Sequence, residues 1–304
     1  MTRGKRSNDG GTGSGDLFGA ATIKGDAPIE ATADHALAAL RRIRVGVGGW
    51  TFAPWRDNFY PAGLPQRREL EYASRQLTAI EINGTWYGAQ KPATYAKWRD
   101  ETPEGFVFSA KAPKRIMQSR SLASVRSQVE DFVGGIAELG DRLGPLVWQF
   151  EKGQRIARDE LEGFIGALPA AHGDLRLRHA LELRDPALVD ADLVRMLRRH
   201  RMAAVFTDSE EHPSFADVTG DFIYARLMRS QPGIATGYAP QDLARWAGCA
   251  RRWASGEDPP ELPHVGAAQA NGAPREVFVY FISAAKERNP AAAMALVREL
   301  AEVT

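Results

Sequence analysis

Cysteine is almost absent from this 304-residue chain. The one thiol, Cys249, has no partner for an intrachain disulfide and falls in a Trp-rich, helix-like stretch where a small packing side chain is expected. A disulfide-stapled fold is excluded, and a reducing compartment is consistent with that usage. Net charge is nearly absent as well, at +1, which argues against a globally basic nucleic-acid binder while leaving room for a local basic patch. No apolar run approaches the roughly 20 residues that a membrane-spanning helix needs. The basic residues Arg3, Lys5 and Arg6 are not followed by the apolar segment of a secretory signal, so a cytoplasmic location is expected. A usable nucleotide-binding fingerprint is missing too. Gly10-Gly11-Thr12-Gly13-Ser14-Gly15 has no strand before it and no Gly-Lys-Ser/Thr after it. That run belongs to residues 1–30, whose Gly, Ser, Asp and Thr content predicts a disordered tail, with the folded domain spanning 31–304 and opening on a helix over Ala31–Arg42.

What the chain has in quantity is one recurring pattern. A short apolar run stops on a charged or amide residue, and a helix-like stretch follows. The runs are Ile43–Gly48 (leading to Trp50), Ala79–Ile82, Phe106–Lys111, Leu146–Gln149, Ala180–Arg184, Ala203–Asp208, Ile223–Arg226 and Val277–Phe281. Between them the period lengthens from about two to about 3.6, as it does when strands alternate with amphipathic helices. The spacing predicts helices over Ser124–Leu139, Glu160–Leu168, Asp192–His200, Asp242–Trp253 and Ala291–Leu300. Eight such units in about 250 residues fit an α/β fold of the (β/α)8 TIM-barrel type, whose C-terminal face gathers all eight strand ends. A stretch from Ser255 to Pro274, rich in proline and carrying Asn271-Gly272, reads as an irregular loop before the last strand.

Alternation then sorts the side chains. Glu81 and Asn83 share one face of their strand while Ile80 and Ile82 share the other, and Glu182 pairs with Arg184 in the same way. Carboxylates inside a barrel mouth need partners, and Lys111, Arg184 and Arg226 are the candidates. Two readings follow: a buried ion-pair network closing the barrel top, or an acid and a base whose pKa values are pushed apart by those cations. On the second, Glu81, Glu182 and Asp208 are the candidate catalytic set, although Asp208 could equally cap a turn. Trp50, Asn83, Tyr87, Lys111, Gln149, Arg184, Arg226 and Tyr280 are the candidate substrate-binding set. Arg226 suits bidentate recognition of carboxylate or phosphate. Lys111, if desolvated, could also act as a Schiff-base nucleophile. Lys114, Arg115 and Arg120 extend a basic loop behind it. The aromatics Trp50, Phe52, Trp55, Phe59, Tyr60, Trp86 and Tyr87 could stack on a ligand or plug the mouth as hydrophobic mass. No cofactor is evident. Among the histidines only His212 follows a strand end, so a zinc site is not expected, while a Mg²⁺ held by Glu81, Glu182 and Asp208 remains an alternative.

Several ordered motifs carry a family resemblance over residues 43–300. They are Val45-Gly-Val-Gly-Gly-Trp50, Trp55-Arg-Asp-Asn-Phe59-Tyr60-Pro61, Glu81-Ile-Asn83-Gly-Thr-Trp-Tyr87, Thr102-Pro-Glu-Gly-Phe106, Lys111, Leu143-Gly-Pro-Leu-Val-Trp-Gln149, Glu182-Leu-Arg184 and Tyr224-Ala-Arg226. Together they resemble the DUF72 (YecE-like) family. The resemblance implies a TIM barrel, with a suggested relationship to endonuclease IV-like or sugar-isomerase-like barrels, and it places the family's polar strand ends on Glu81, Asn83, Lys111, Gln149, Glu182, Arg184, Asp208 and Arg226. The chain departs from the family at Asp185, at Met228-Arg229 and at Ile282-Ser283-Ala284, where the last wall of the site is expected to have lost its polarity.

The expected function is that of an enzyme, a hydrolase or isomerase, acting on a polar, carbohydrate-like small molecule with or without a phosphate group. One alternative is a nucleic-acid-binding or endonuclease IV-like phosphodiesterase. The other is a non-catalytic ligand-binding barrel. The expected partner is a small polar or anionic ligand.

Overall fold

Strict alternation of side chains along short parallel strands decides how this chain closes. A computed structural model describes residues 41–302 apart from 213 and 269–271. The expected tail and the helix before residue 41 therefore lie outside the described residues. In chain order the strands are β1 (Ile43–Gly48), β2 (Ala79–Ile82), β3 (Val107–Lys111), β4 (Leu143–Phe150), a two-stranded antiparallel hairpin of β5 (Ala171–His172) and β6 (Leu175–Arg176), then β7 (His179–Leu183), β8 (Ala203–Thr207), β9 (Phe222–Leu227) and β10 (Glu276–Phe281). All but the hairpin form one closed parallel barrel in the order β1-β10-β9-β8-β7-β4-β3-β2. The helices are α1 (Glu69–Gln76), α2 (Pro92–Glu101), α3 (Lys114–Met117), α4 (Arg126–Ile136), α5 (Arg158–Ala167), α6 (Ala191–His200), α7 (Pro240–Ser255) and α8 (Asn289–Ala301). This is the TIM-barrel architecture.

The outward residues of the strands, such as Ile80, Ile82, Trp148, Leu181, Ala225 and Leu227, join the helices in one hydrophobic layer. The inward residues form a second, separate cluster that includes Ala79, Val107, Val147, Ala180, Val205, Phe222, Tyr224, Phe278 and Tyr280. The barrel is thus packed, not hollow. Its centre is aromatic: Tyr224 lies 5.1 Å from Tyr280 and 6.4 Å from Phe278, ring centre to ring centre. Room for these rings comes from glycine. A Cβ at Gly46 would stand 2.0 Å from the Ala79 carbonyl oxygen and 3.2 Å from the Tyr280 ring.

Helix α6 shows how local chemistry fixes the outer layer. The Asp190 carboxylate accepts from the Leu193 amide at 2.8 Å, capping the first turn, and Arg201 ends the helix in the left-handed region at φ 52°. Between these stops Leu193, Val194, Met196 and Leu197 are buried against the barrel. Elsewhere the boundaries move. Strand β4 begins at Leu143 and not at Leu146, because Gly144 lets β4 approach β3 closely: a Cβ there would meet Val107 at 2.5 Å. The Gly144-Pro145 pair thus lies inside a strand, beside a register shift between Phe108 and Ala110. The helix expected over Ser124–Leu139 is α-helical from Arg126 to Ile136 and tightens to a 3₁₀ turn over Ala137–Arg142. Helices α1, α2 and α3 and the β5–β6 hairpin lie outside the elements that the spacing predicts. The loop before β10 has no helix or strand among its described residues, and Asp217 pins it by accepting from the amides of Val265 and Gly266 at 2.7 and 2.9 Å.

Gly46→Ala is expected to destabilise the barrel by at least the ~1–3 kcal/mol typical of overpacking. Its urea-unfolding midpoint should fall well below that of the parent chain. An unchanged midpoint would contradict the close approach of β1 to β2.

Candidate functional site

The inward positions nearest the C-terminal strand ends carry Glu81 on β2, Lys111 on β3, Gln149 on β4, Glu182 on β7 and Arg226 on β9. Arg226 lies at their centre and is 2% exposed. Its Nη2 donates to Glu81 Oε1 at 2.8 Å, while Nη1 donates to Gln149 Oε1 at 3.1 Å and to Glu182 Oε2. The remaining oxygens are also taken. Tyr224 donates its hydroxyl to Glu81 Oε2 at 2.6 Å, and Arg184 donates Nε to Glu182 Oε1 at 2.8 Å. Glu151 extends the network by pairing with Arg184 at 3.1 Å and accepting from the Gln149 amide. Two fully buried carboxylates are thus held by two guanidiniums and a tyrosine.

Electrostatics follow from that arrangement. Burial works to raise the Glu182 pKa, but Arg226, Arg184 and Lys111 outweigh it and hold the carboxyl below its ordinary value. Burial disfavours the Arg226 charge, yet Glu182 and Glu81 reverse that and raise its pKa. Lys111 behaves differently. Burial, with Arg226 next, pulls its amine down to about 8 against the opposing pull of Glu182 and Glu81. Among the described residues its Nζ has no salt-bridge partner and lies 3.9 Å from the centre of the Trp86 ring.

Above this network opens a cleft of about 380 Å³ at the barrel mouth. Lys111, Arg184, Arg226 and Lys286 line it together with Asn83 and Ser283, and among the described residues its lining includes no Asp or Glu. Gly48 forms part of the wall because a Cβ there would meet the Asn83 amide nitrogen at 2.7 Å. A larger groove, about 720 Å³, lies outside the barrel between α4 and α5 and is lined by residues such as Leu122, Val129 and Phe164. It holds none of the strand-end groups, so the smaller cleft is the better candidate.

The structure brings together most of the residues singled out by sequence and separates three. Glu81, Glu182, Gln149, Arg184 and Arg226 meet as described, and Asn83, Tyr87 and Lys111 line the cleft. Asp208 does not join them. Its Oδ1 accepts from the Met228 amide at 2.5 Å and its Oδ2 from the Tyr238 hydroxyl at 2.9 Å, so it ties the end of β8 to the loop after β9. Burial raises its pKa against those two hydrogen bonds. Tyr280 faces inward but lies a layer below the cleft, against Tyr224. Trp50 packs edge-on against Trp98 at 4.8 Å, outside the cleft lining. Of the other aromatics, Trp55, Phe59 and Tyr60 are buried hydrophobic mass, and only Trp86 and Tyr87 reach the cleft. The carboxylate set considered for Mg²⁺ is not assembled: no group of three acidic, His or Cys side chains converges among the described residues, and Arg226 holds the place between Glu81 and Glu182.

Sequence reasoning missed Lys286, Ser283 and Asn289. The wall after β10 was expected to be apolar, and it is polar. Ser283 and Ala284 adopt left-handed φ of 58° and 46°, which turns the chain back over the mouth. Buried Asn289 holds that turn by donating to the Ser283 carbonyl at 3.2 Å and accepting from Ser230 at 2.8 Å. Lys286 then reaches the cleft across the Phe52 ring at 4.5 Å. Its place in a loop left no periodic signal.

Replacing Arg226 by Met should cost about 3–5 kcal/mol at pH 7, because two buried carboxylates lose their counter-charge. In the parent chain the Glu182 contribution is present above the ordinary Glu pKa and is lost as pH falls through its lowered folded value. The gap between parent and variant should therefore narrow in acid. Urea unfolding at pH 7 and pH 4 reads it, and a pH-independent gap would contradict the ion-pair account.

The model of the family described as "Protein of unknown function DUF72" matches residues 44–304. The UPF0759 protein YecE of Escherichia coli K12 is 28% identical over 102 residues, which span 34% of this chain and 35% of YecE. YunF of Bacillus subtilis 168 is 31% identical over 70 residues, or 23% of this chain and 24% of YunF. These matches cover about a third or less of each relative. Among solved structures, a DUF72 family protein from Thermotoga maritima MSB8 superposes with a TM-score of 0.64 at 17% identity, covering 86% of this chain and 99% of that one. One from Enterococcus faecalis V583 gives 0.59 at 16% identity, over 86% and 98%. At such identities the likeness concerns the fold. With the family model matched across the whole barrel, the chain belongs to the DUF72 family.

Proposed function

We propose that the barrel mouth binds and acts on a small, hydroxyl-bearing anion of the phosphorylated or carboxylated metabolite class. The observation that carries this reading is the lining of the cleft, which among the described residues has four cationic side chains and no carboxylate. Glu81 and Glu182 lie beneath the cleft and are paired with Arg226 and Arg184, so the cations that face it without a salt-bridge partner among the described residues are Lys111 and Lys286. The Asn83 amide and the Ser283 hydroxyl make no side-chain hydrogen bond to a described residue and are the groups on hand for ligand hydroxyls. The volume suits a compact metabolite.

This reading reassigns the two glutamates. With every carboxylate oxygen engaged, Glu81 and Glu182 are positioning residues that fix Arg226 and Arg184, and not the free acid and base expected from sequence. A polyanion is less well served. Lys114, Arg115 and Arg120 are exposed but do not line the cleft, so phosphodiester binding would have to rest on the rim. Stacking on a sugar face is limited as well, because Lys111 Nζ occupies one approach to the Trp86 ring.

Calorimetric titration with inorganic phosphate should detect binding, and Arg184→Ala or Lys111→Met should weaken it about tenfold, the effect of losing one charge-assisted contact. Lys114→Ala should leave it within about twofold. Sulfate keeps its charge across neutral pH, so its affinity should be highest below pH 8 and fall as Lys111 loses its proton near that value, which is set by burial first and then by Arg226, Glu182, Glu81 and Arg184. Equal affinity in all variants, or a flat sulfate profile from pH 6 to 10, would contradict the site.

A further inference from the structure

The geometry points to Lys111 as a covalent amine that captures an aldehyde or ketone bearing a phosphate or carboxylate group, forming an iminium in the cleft. This rests on the anion-binding reading above and specifies the chemistry of the ligand's other end.

Three observations support it. First, Lys111 ends β3, its side chain lines the cleft, and its backbone is fixed: its carbonyl accepts from Thr85 Oγ1 at 2.6 Å and the amide after it donates to the Val147 carbonyl at 2.8 Å. A nucleophile on a rigid strand end is better aimed than one on a loop. Second, the two guanidiniums of the mouth are both held in ion pairs. Arg226 and Arg184 hold the buried glutamates, whereas Lys111 Nζ lies 3.9 Å from the centre of the Trp86 ring and has no carboxylate within salt-bridge distance among the described residues. A lysine meant to serve as a structural cation would be expected to take one of those carboxylates. Third, two guanidiniums line the same cleft, and a neighbouring cation both favours the neutral amine and holds the anionic end of a carbonyl ligand. The lowered pKa of Lys111, about 8, agrees with this, since part of the amine is unprotonated in mildly alkaline solution.

The chemistry balances without a further reagent. The neutral amine adds its lone pair to the carbonyl carbon, and the carbonyl π electrons move to oxygen, giving a carbinolamine. The oxygen then leaves as water, taking two hydrogens that began on the ammonium nitrogen. The product is a protonated imine with the same net charge as the starting ammonium plus neutral carbonyl. Protons pass through solvent, to which the cleft is open. Lys286 is the natural internal control. It lines the same cleft and its pKa is also lowered by burial, but it stands on a 3₁₀ turn in the loop after β10.

The test is reductive trapping on the full chain. Glyoxylate supplies a carboxylate aldehyde and dihydroxyacetone phosphate a phosphate ketone. Each is incubated at pH 8 with borohydride and the adducts are mapped by peptide mass spectrometry. The expected result is a predominant adduct at Lys111, at least tenfold above the exposed Lys97 and Lys114, suppressed by inorganic phosphate. Lys111→Arg should abolish that adduct while its urea-unfolding midpoint stays close to that of the parent chain, which separates loss of the amine from loss of the fold. Even labelling of surface lysines, or a predominant adduct at Lys286, would overturn the assignment while phosphate binding still stood. Labelling of Lys111 that phosphate does not suppress, matched by a neutral aldehyde such as propanal, would overturn the anionic class of ligand and the underlying reading with it. The two ligands tell carboxylate from phosphate preference.

Discussion

One guanidinium between two buried carboxylates organises the top of this barrel. Arg226 reaches Glu81 from one nitrogen and Glu182 from the other, and neither carboxylate would tolerate burial as an anion without it. The residues that surround the trio are those that complete its hydrogen bonding: Tyr224 below, Gln149 beside it, Arg184 above. Tyr224 in turn packs against the Tyr280 ring, and room for that ring depends on the missing side chain of Gly46. A chain of steric and electrostatic necessities thus runs from a glycine on β1 to the floor of the cleft.

Neutralisation from beneath decides what the mouth can do. Because the glutamates are paired with Arg226 and Arg184, Lys111 and Lys286 face the cleft without a compensating carboxylate among the described residues of its lining. Each is depressed in pKa by burial, so the folded state holds its charged amine at a cost. For Lys111 the sign is clear: the unfolded chain binds the proton more tightly, so its contribution to stability improves as pH rises between about 8 and the ordinary lysine value. A side chain that weakens the fold at neutral pH is of the kind expected in a functional site.

Much of this was legible in the sequence because a strand writes its two faces in alternate letters. Glu81 between Ile80 and Ile82, and Glu182 between Leu181 and Leu183, announce an inward carboxylate, and Arg226 beside Tyr224 announces its partner. Depth was not legible. Tyr280 and Arg226 are register partners in adjacent strands, yet one is buried in the aromatic core and the other lines the cleft, since tilted strands make nearness to a strand end a poor guide to height in the barrel. Asp208 misled for a related reason: just past the end of β8, it caps neighbouring backbone instead of facing the mouth. Lys286 and Asn289 were invisible because the turn that brings them in depends on two consecutive left-handed residues, Ser283 and Ala284, neither of them glycine.

The position of an anion in crystals of the full chain grown with phosphate tests the central claim most directly. The account predicts phosphate in the mouth, within hydrogen-bond reach of Lys111 and Arg184, with Arg226 still bridging Glu81 and Glu182. Phosphate absent from the mouth, or Arg226 swung away to leave a glutamate free toward the cleft, would contradict it.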